Sequence, residues 1–133
     1  MRIGFDPTAG ELDVSGTANE LTALADVVRA GEGGLPADAA SRERSAYSEA
    51  LRTVKVRTTE PPDSLVVICV DVAALTLLIR GGLEKLAVLA NSLAEVARWE
   101  RSGHVHIEYH PGHYYLDPNS AAVVVNSPHG SMP

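Results

Sequence analysis

Residues 104–126 read HVHIEYHPGHYYLDPNSAAVVVN, a stretch that contains four of the five histidines of the chain. Between residues 104 and 110, histidine or glutamate alternates strictly with valine, isoleucine or tyrosine. Successive side chains of a β-strand point to opposite faces, so the pattern predicts one apolar face and one face with three histidines and a carboxylate. Pro111-Gly112 predicts a turn, and the β-branched run at 121–125 favours a buried partner strand.

The composition indicates an ordinary globular protein. A length of 133 residues, with 45% hydrophobic and 21% charged side chains, predicts a single domain, 1–133, with its own core. The single cysteine, Cys69, lies in an apolar run, which predicts a buried thiol and a reducing compartment. The start of the chain does not resemble a secretion signal, and the apolar tract at 65–79 is shorter than the roughly 20 residues that span a bilayer. We therefore expect a soluble protein with no membrane partner.

The charge of the chain argues against a nucleic-acid partner. The formal net charge is −6, and the arginines and lysine between residues 42 and 57 are interspersed with glutamates. Binding to phosphates needs clustered cations, which this pattern does not provide. An acidic protein is better suited to a basic partner.

Two helices are predicted from their periodicity and their ends. Thr17-Ala-Asn-Glu20 matches a capping box, apolar residues follow at helical spacing, and Gly31 supplies a stop, which predicts a helix over 18–30. After Gly81-Gly82, a wide apolar stripe predicts a second helix over 83–101.

The segment between the first helix and the next alternating run has a different character. Residues 31–48 are rich in glycine, alanine, serine and charge, and they have no apolar period. This composition predicts a mobile loop, in which residues 39–50 are the candidate for a short helix.

The remaining alternating or apolar runs predict strands at 2–5, 11–15, 53–58, 65–70 and 75–80. With the strand at 104–110, the elements form a pseudo-repeat of β-β-α-β order. Hairpins and short links predict an antiparallel sheet of about six to seven strands. Because each long helix has a single apolar stripe, both helices are expected on one face of this sheet. The predicted fold class is α+β.

The histidine-rich strand could in principle hold a metal ion. Alternate residues of a strand lie about 7 Å apart, so histidines at that spacing can share zinc when a third ligand comes from elsewhere. Asp71 or Asp117 would have to complete such a site, since there is no second cluster of Cys or His in the sequence. Solvated strand residues are the simpler interpretation, and we expect no metal and no other cofactor.

Catalysis is the second alternative for this stretch. A histidine and Glu108 could perform acid–base chemistry. However, the sequence contains no nucleophile elbow, no phosphate-binding glycine loop after a strand and no helix-borne metal motif. We therefore expect no enzyme activity. A metal-dependent or acid–base enzyme using residues 104–113 remains the alternative, as does a small dimeric regulatory domain whose free sheet face pairs with itself.

A protein-contact surface is the third interpretation of the same residues. By strand parity Tyr109 is expected in the core, whereas Tyr114 and Tyr115, which follow the turn, are expected to be partly exposed. Exposed aromatic side chains beside histidines are suitable anchors for a protein partner.

A family resemblance supports this interpretation. HVHIEYHPGHYYLDPNS, followed by an apolar strand, resembles the C-terminal signature of the bacterial immunity protein family thirty-two, small neutralisers encoded beside polymorphic toxins. The opening hairpin, the capped helix and LLIRGGLEKLAVLA at 77–90 are also similar, so the resemblance covers nearly the whole chain. It implies a non-enzymatic protein that binds and blocks a cognate toxin in the bacterial cytoplasm.

Strand parity and the following turn, and not the resemblance, assign the partner-binding residues. The predicted toxin contact consists of His104, His106, Glu108, His110, His113 and Tyr114. The competing site is the acidic surface, with Glu11, Asp13, Glu32 and Asp38 meeting a basic toxin.

Overall fold

The structure is a computed structural model that describes residues 1–38 and 49–131. Within these ranges the chain forms nine strands and two helices, which confirms the α+β class. In chain order they are β1 (Arg2–Asp6), β2 (Glu11–Ser15), α1 (Ala18–Ala30), β3 (Glu32–Pro36), β4 (Glu49–Ala50), β5 (Thr53–Thr58), β6 (Val67–Asp71), β7 (Thr76–Gly81), α2 (Leu83–Ala97), β8 (His104–Ile107) and β9 (Ala122–Asn126).

The strands form two mixed sheets instead of one antiparallel sheet. The first sheet has the order β4-β1-β2-β9-β8, and the second has the order β3-β5-β7-β6. The predicted hairpins β1–β2 and β6–β7 are present and antiparallel. Each sheet also contains one parallel pair, β2 with β9 and β5 with β7. These parallel pairs join strands that are distant in sequence, so local alternation and turn signals could not reveal them.

The predicted β-β-α-β order occurs in both halves of the chain, and the structure has one further strand after the helix of each half. The first half is β1-β2-α1-β3-β5 and the second is β6-β7-α2-β8-β9, with the short β4 outside the repeat. Of the two strands that follow each helix, the second, β5 or β9, pairs with the hairpin of the other half, and the first, β3 or β8, pairs with that second strand at the edge of the sheet. Both sheets are therefore built from both halves. In this arrangement β8 corresponds to β3, and not to the 53–58 strand expected from sequence, because β3 and β8 are both edge strands.

The two helices begin in different ways. At α1 the predicted capping box is present: the Thr17 hydroxyl accepts from the Glu20 amide at 3.1 Å, and the Glu20 carboxylate accepts from the Thr17 amide at 2.9 Å. Gly31 ends α1 with φ 74°. At α2 the N-cap is Gly82, which has no side chain for this purpose, and the carbonyl of Pro62 instead accepts from the Glu84 amide at 3.0 Å. A neighbouring loop thus replaces the capping side chain.

Helix α2 ends earlier than its sequence predicts. The helix stops at Ala97, with Arg98 as the C-cap, although the prediction extended to residue 101. Its last buried side chains are Val96 and Ala97, and the charged residues that follow are exposed. Packing of an apolar face supplies most of a helix's stability, so the helix ends where that face ends.

A single core cluster joins both helices to both sheets. Fully buried members include Leu21 of α1, Leu86 of α2, Leu12 of the first sheet and Val54 of the second. Each such aliphatic side chain contributes about 1.5–3 kcal/mol when fully buried. The strand residues between these core positions point outward, so each sheet has one outer face exposed to solvent. Among the helices of residues 1–38 and 49–131, none is long and apolar enough to cross a membrane.

The expectation of a loop over residues 31–48 is wrong for its first part. Residues 32–36 form β3, which pairs antiparallel with β5 along its whole length. The sequence EGGLP has no strand signal of its own, so the pairing is imposed by β5. At the other end of the segment, Glu49 and Ala50 form β4 and not the end of a short helix. Residues 39–48 lie outside the described residues, and the mobility of this segment stays a prediction.

Candidate functional site

The histidine strand lies at the edge of the first sheet. His104 and His106 are exposed on β8, whereas Ile107 points inward and is 5% exposed. This part of β8 therefore has the predicted polar and apolar faces. The strand ends at Ile107, however, and does not continue to residue 110.

The reason for this early end is the path of the partner strand. Ile107 pairs with Val123 of β9, and the chain before β9 turns away towards β6. There the amide of Ala121 donates to the carbonyl of Ile68 at 2.8 Å, and Leu116 forms an isolated bridge with Val66. None of the described strands is left for residues 108–110 to pair with. Tyr109 is consequently 38% exposed, and its predicted core position is wrong.

The two histidines of β8 contact each other. Their ring centroids are 4.9 Å apart in an edge-on arrangement, and the Nδ1 atom of His104 lies 3.1 Å from the carbonyl oxygen of Ser131. Across the sheet, His106 is in register with Val124, and Val124 is in register with Asp13 of β2. Asp13 is exposed on this outer face. The predicted histidine site and part of the competing acidic site are thus neighbours on one surface.

A buried amide fixes the acidic part of this surface. Asn126, 5% exposed, donates through Nδ2 to the Asp13 carboxylate at 2.8 Å, to the Ser15 hydroxyl at 2.9 Å and to the Val14 carbonyl at 3.1 Å. Asn126 was not among the predicted site residues, because local sequence around an asparagine at the end of an apolar run does not indicate partners that are distant in the chain. Of the other two acids of the competing site, Glu32 belongs to β3 of the second sheet, and Asp38 follows β3 and donates through its amide to the carbonyl of Met1 at 2.7 Å.

The turn after β8 carries a second group of rings around His113. We define the aromatic cluster as Tyr109, His110, His113, Tyr114 and Tyr115. The ring centroid of His113 lies 4.5 Å from that of Tyr115, 4.9 Å from His110, 6.1 Å from Tyr114 and 6.5 Å from Tyr109. Contacts of this kind hold the rings in fixed mutual orientations.

His113 is also held by the backbone of the turn. Its Nδ1 atom accepts from the amides of Tyr115 at 3.4 Å and of Leu116 at 3.2 Å. Burial, together with the nearby charge of His110, lowers the pKa of His113 below its ordinary value. Both effects favour the neutral imidazole, and the two amides that donate to Nδ1 place its proton on Nε2.

The two tyrosines after His113 have opposite environments. Tyr114 is 66% exposed, as predicted, whereas Tyr115 is 6% exposed, which corrects the expectation that it would be partly exposed. Burial raises the pKa of the Tyr115 hydroxyl. Tyr115 and the fully buried Leu116 attach the turn to the core and to the edge of β6. The exposed Tyr114 therefore projects from an anchored base.

The six predicted site residues thus fall into two groups. His104 and His106 form the strand pair, and His110, His113 and Tyr114 belong to the aromatic cluster. Glu108 lies between them in sequence, is exposed and has no hydrogen bond or ion pair with any residue that the structure describes.

The described part of the chain contains no group of three or more His, Cys, Asp or Glu side chains placed to hold a metal ion. The two aspartates considered as further ligands act in local turns instead. Asp71 accepts from the Ala74 amide at 3.1 Å, and Asp117 accepts from the Asn119 amide at 2.8 Å.

Comparison with known proteins finds a similarity to one family over part of the chain. Residues 76–128 match the family model of Immunity protein 32. The match confirms the predicted resemblance over these residues, whereas the similarity expected for the opening hairpin and α1 lies outside them. Neither a curated protein nor a solved structure matches the chain.

The Immunity protein 32 match runs from the start of β7 through α2 and β8 to just beyond β9. It therefore includes both the strand pair and the aromatic cluster. The match also contains β8 and β9, the two strands at the histidine-bearing edge of the first sheet.

Proposed function

We propose that this protein binds a cognate bacterial toxin and neutralises it without catalysis, in the cytoplasm of the cell that makes the toxin. The observation that carries the proposal is the match of residues 76–128 to Immunity protein 32. An acidic protein with a net charge of −6 is also suited to a basic toxin, which it would attract over several ångströms at low salt.

The toxin contact is assigned to the exposed histidines of β8 and the projecting part of the aromatic cluster. It consists of His104, His106, Glu108, His110, His113 and Tyr114. Tyr114 is well suited to be its anchor, because an aromatic ring combines a large apolar area with a polar end and loses few rotamers on binding. The rigid base around His113 reduces the ordering cost of this contact further.

The neighbouring Asp13 is expected to influence the association rate of the toxin. Asp13 lies on the same sheet face as His106 and is held by Asn126. Exposed charges at the rim of an interface mainly change the association rate, whereas central anchors mainly change the dissociation rate. The histidine contact and the neighbouring Asp13 therefore predict different kinetics on the same outer face of the first sheet.

The experiment begins with the toxin, sought as a large secreted protein with a variable C-terminal domain encoded beside this gene. Co-expression of the toxin domain with this protein should protect cells. Alanine substitution of His106, His110 and Tyr114 together should weaken binding through faster dissociation, with each strong anchor costing about 2 kcal/mol. Rates are measured by surface-immobilised binding kinetics.

Matched controls separate the contact from general effects. His129→Ala removes an exposed histidine outside the six, and Val72→Ala removes an exposed apolar side chain on the β6–β7 turn. Both should bind like the wild type. If the triple variant has a wild-type melting temperature and still protects cells and dissociates at the wild-type rate, the assignment of this surface is wrong.

A further inference from the structure

The outer face of the second sheet carries a groove unlike the rest of this acidic protein. It has a volume of about 740 Å³ and is lined by residues of β3, β5 and β7. We define the basic groove by Lys55, Arg57, Leu78, Arg80 and the glycines of β3. All three cations are exposed.

Strand alternation explains how the cations come together. On β5, Val54 and Val56 enter the core, which turns Lys55 and Arg57 outward. The parallel register of β5 with β7 then places Arg57 beside Arg80 and Lys55 beside Leu78. At that edge β3 contributes Gly33 and Gly34, and Glu32 is the side chain of β3 that lines the groove.

The cations of the basic groove have no partner among residues 1–38 and 49–131. Glu32 is in register with Arg57, yet the two side chains form no ion pair. Three unpaired positive charges on adjoining positions repel one another, and an incoming anion would relieve that repulsion. Such a concentration of unpaired cations in a chain of net charge −6 favours a negatively charged occupant.

We propose that the basic groove binds an extended acidic segment of a protein partner. Lys55 and Arg57 are separated by two strand positions, about 7 Å, which is also the spacing of alternate side chains in an extended peptide. A segment with carboxylates at alternate positions therefore meets both cations at once. Arg57 and Arg80 together offer two guanidinium groups for one carboxylate, and Leu78 accepts an apolar side chain of the segment.

The lining of the groove argues against single-stranded nucleic acid as the occupant. Proteins that bind single strands stack the bases on aromatic side chains, and the described residues that line this groove include none. The overall negative charge also repels a long polyanion, whereas a short acidic segment experiences mainly the local field.

This inference is independent of toxin neutralisation. The basic groove belongs to the second sheet, and the histidines of β8 belong to the first. The test below uses no toxin, so either proposal can fail without the other.

The probe is a synthetic peptide of alternating glutamate and leucine, titrated into the full chain while backbone amide chemical shifts are recorded by NMR. We expect shifts at the amides of Lys55, Arg57, Leu78 and Arg80, and none at the aromatic cluster. Because exposed ion pairs are individually weak, the dissociation constant should be on the order of 0.1–1 mM. Added salt should weaken the binding.

The variant Arg57→Gln/Arg80→Gln should bind the peptide about tenfold more weakly. The matched control, Arg98→Gln/Arg101→Gln, also removes two exposed arginines, one at the C-cap of α2 and one in the segment after it, and should bind within about twofold of the wild type. Melting curves of both variants verify that they are folded.

Four results would each overturn the proposal. They are no shifts in the groove, equal binding of a lysine–leucine peptide, binding that is insensitive to salt, and equal or stronger shifts with inorganic phosphate or an oligothymidine. The last result would assign the groove to phosphate groups instead of carboxylates.

Discussion

At the scale of the residue, position 82 requires glycine because there is no room for a Cβ atom. A Cβ atom at Gly82 would lie 2.1 Å from the carbonyl oxygen of Pro62 and 2.3 Å from its carbonyl carbon. The φ angle of Gly82 is −71°, which any residue can adopt, so backbone conformation does not require glycine here. The carbonyl that caps α2 occupies the place of the missing side chain.

Gly82→Ala should therefore lower the free energy of unfolding by about 2–3 kcal/mol, because backbone atoms of the loop must move and the cap is lost. The control is Gly10→Ala, at a glycine with φ 65° and no atom within 4 Å of the added Cβ. Its cost is only the left-handed conformation, about 1 kcal/mol. Urea denaturation compares the two, and an equal cost for both would contradict the role given to Pro62.

His113 gives a second prediction at this scale, through pH. Its pKa is lowered from 6.5 by burial first and by His110 second, so the folded state binds fewer protons than the unfolded state. The resulting stabilisation is complete above the unfolded pKa and is lost as the pH falls through the folded pKa. Protonation of Nδ1 would also remove the acceptor for the amides of Tyr115 and Leu116.

His113→Asn keeps an acceptor near the Nδ1 position and removes the titration. Between about pH 7.5 and about pH 5.5, its melting temperature should fall less than that of the wild type. His129→Asn, which removes an exposed histidine elsewhere, should keep the wild-type fall. Differential scanning fluorimetry at several pH values measures this, and identical curves for wild type and His113→Asn would refute the assignment.

At the scale of the element, the caps distinguish the two helices. Helix α1 begins with its own sequence signal, and α2 begins with a contact from another part of the chain. Thr17→Ala should destabilise the protein by about 1 kcal/mol, because the amide of Glu20 loses its acceptor.

The matched substitution is Thr22→Ala, at an exposed position inside α1. Alanine has the higher helix propensity there, so this change should stabilise the protein slightly, by about 0.5 kcal/mol. Thermal unfolding of both variants gives the signs. A stabilising effect of Thr17→Ala would mean that the capping box contributes nothing in the folded protein.

The elements also show what could be predicted from sequence. Helix α1, the hairpins β1–β2 and β6–β7, and the polar face of β8 depend on neighbouring residues, and local patterns predicted them. Strand β3 and the end of β8 at Ile107 depend on which distant strand is available for pairing. The inward position of Tyr115 and the outward position of Tyr109 follow from that same end, so the composition of the candidate site was predictable but its division into two groups was not.

At the scale of the whole molecule, each half depends on the other because the two halves exchange strands: β9 pairs with β2, and β5 pairs with β7. Within each sheet, the strands of the two halves meet at one parallel pair, which contains one strand from each half. Neither half alone can complete a sheet or cover its apolar face, and each would expose unpaired strand edges. The two halves should therefore unfold together in one cooperative transition.

This predicts complementation between fragments 1–60 and 61–133. Each fragment alone should give a circular dichroism spectrum of a largely disordered chain, and an equimolar mixture should recover the helical signal and a cooperative melt. A second fragment carrying Val125→Asp, at a fully buried position of β9, should fail to restore the fold. Cooperative folding of either fragment alone would contradict the exchange of strands.

The same arrangement of strands sets when the fold can be completed during synthesis. A chain leaves the ribosome from its N-terminus, and domains often fold as soon as they emerge. Here β9 is the neighbour of β2, so the first sheet cannot be completed until residues 122–126 have left the ribosome. A ribosome that stalls between β7 and β9 leaves a chain that contains every strand of the second sheet but lacks β9 of the first, so under the proposed function only chains that include β9 protect the cell.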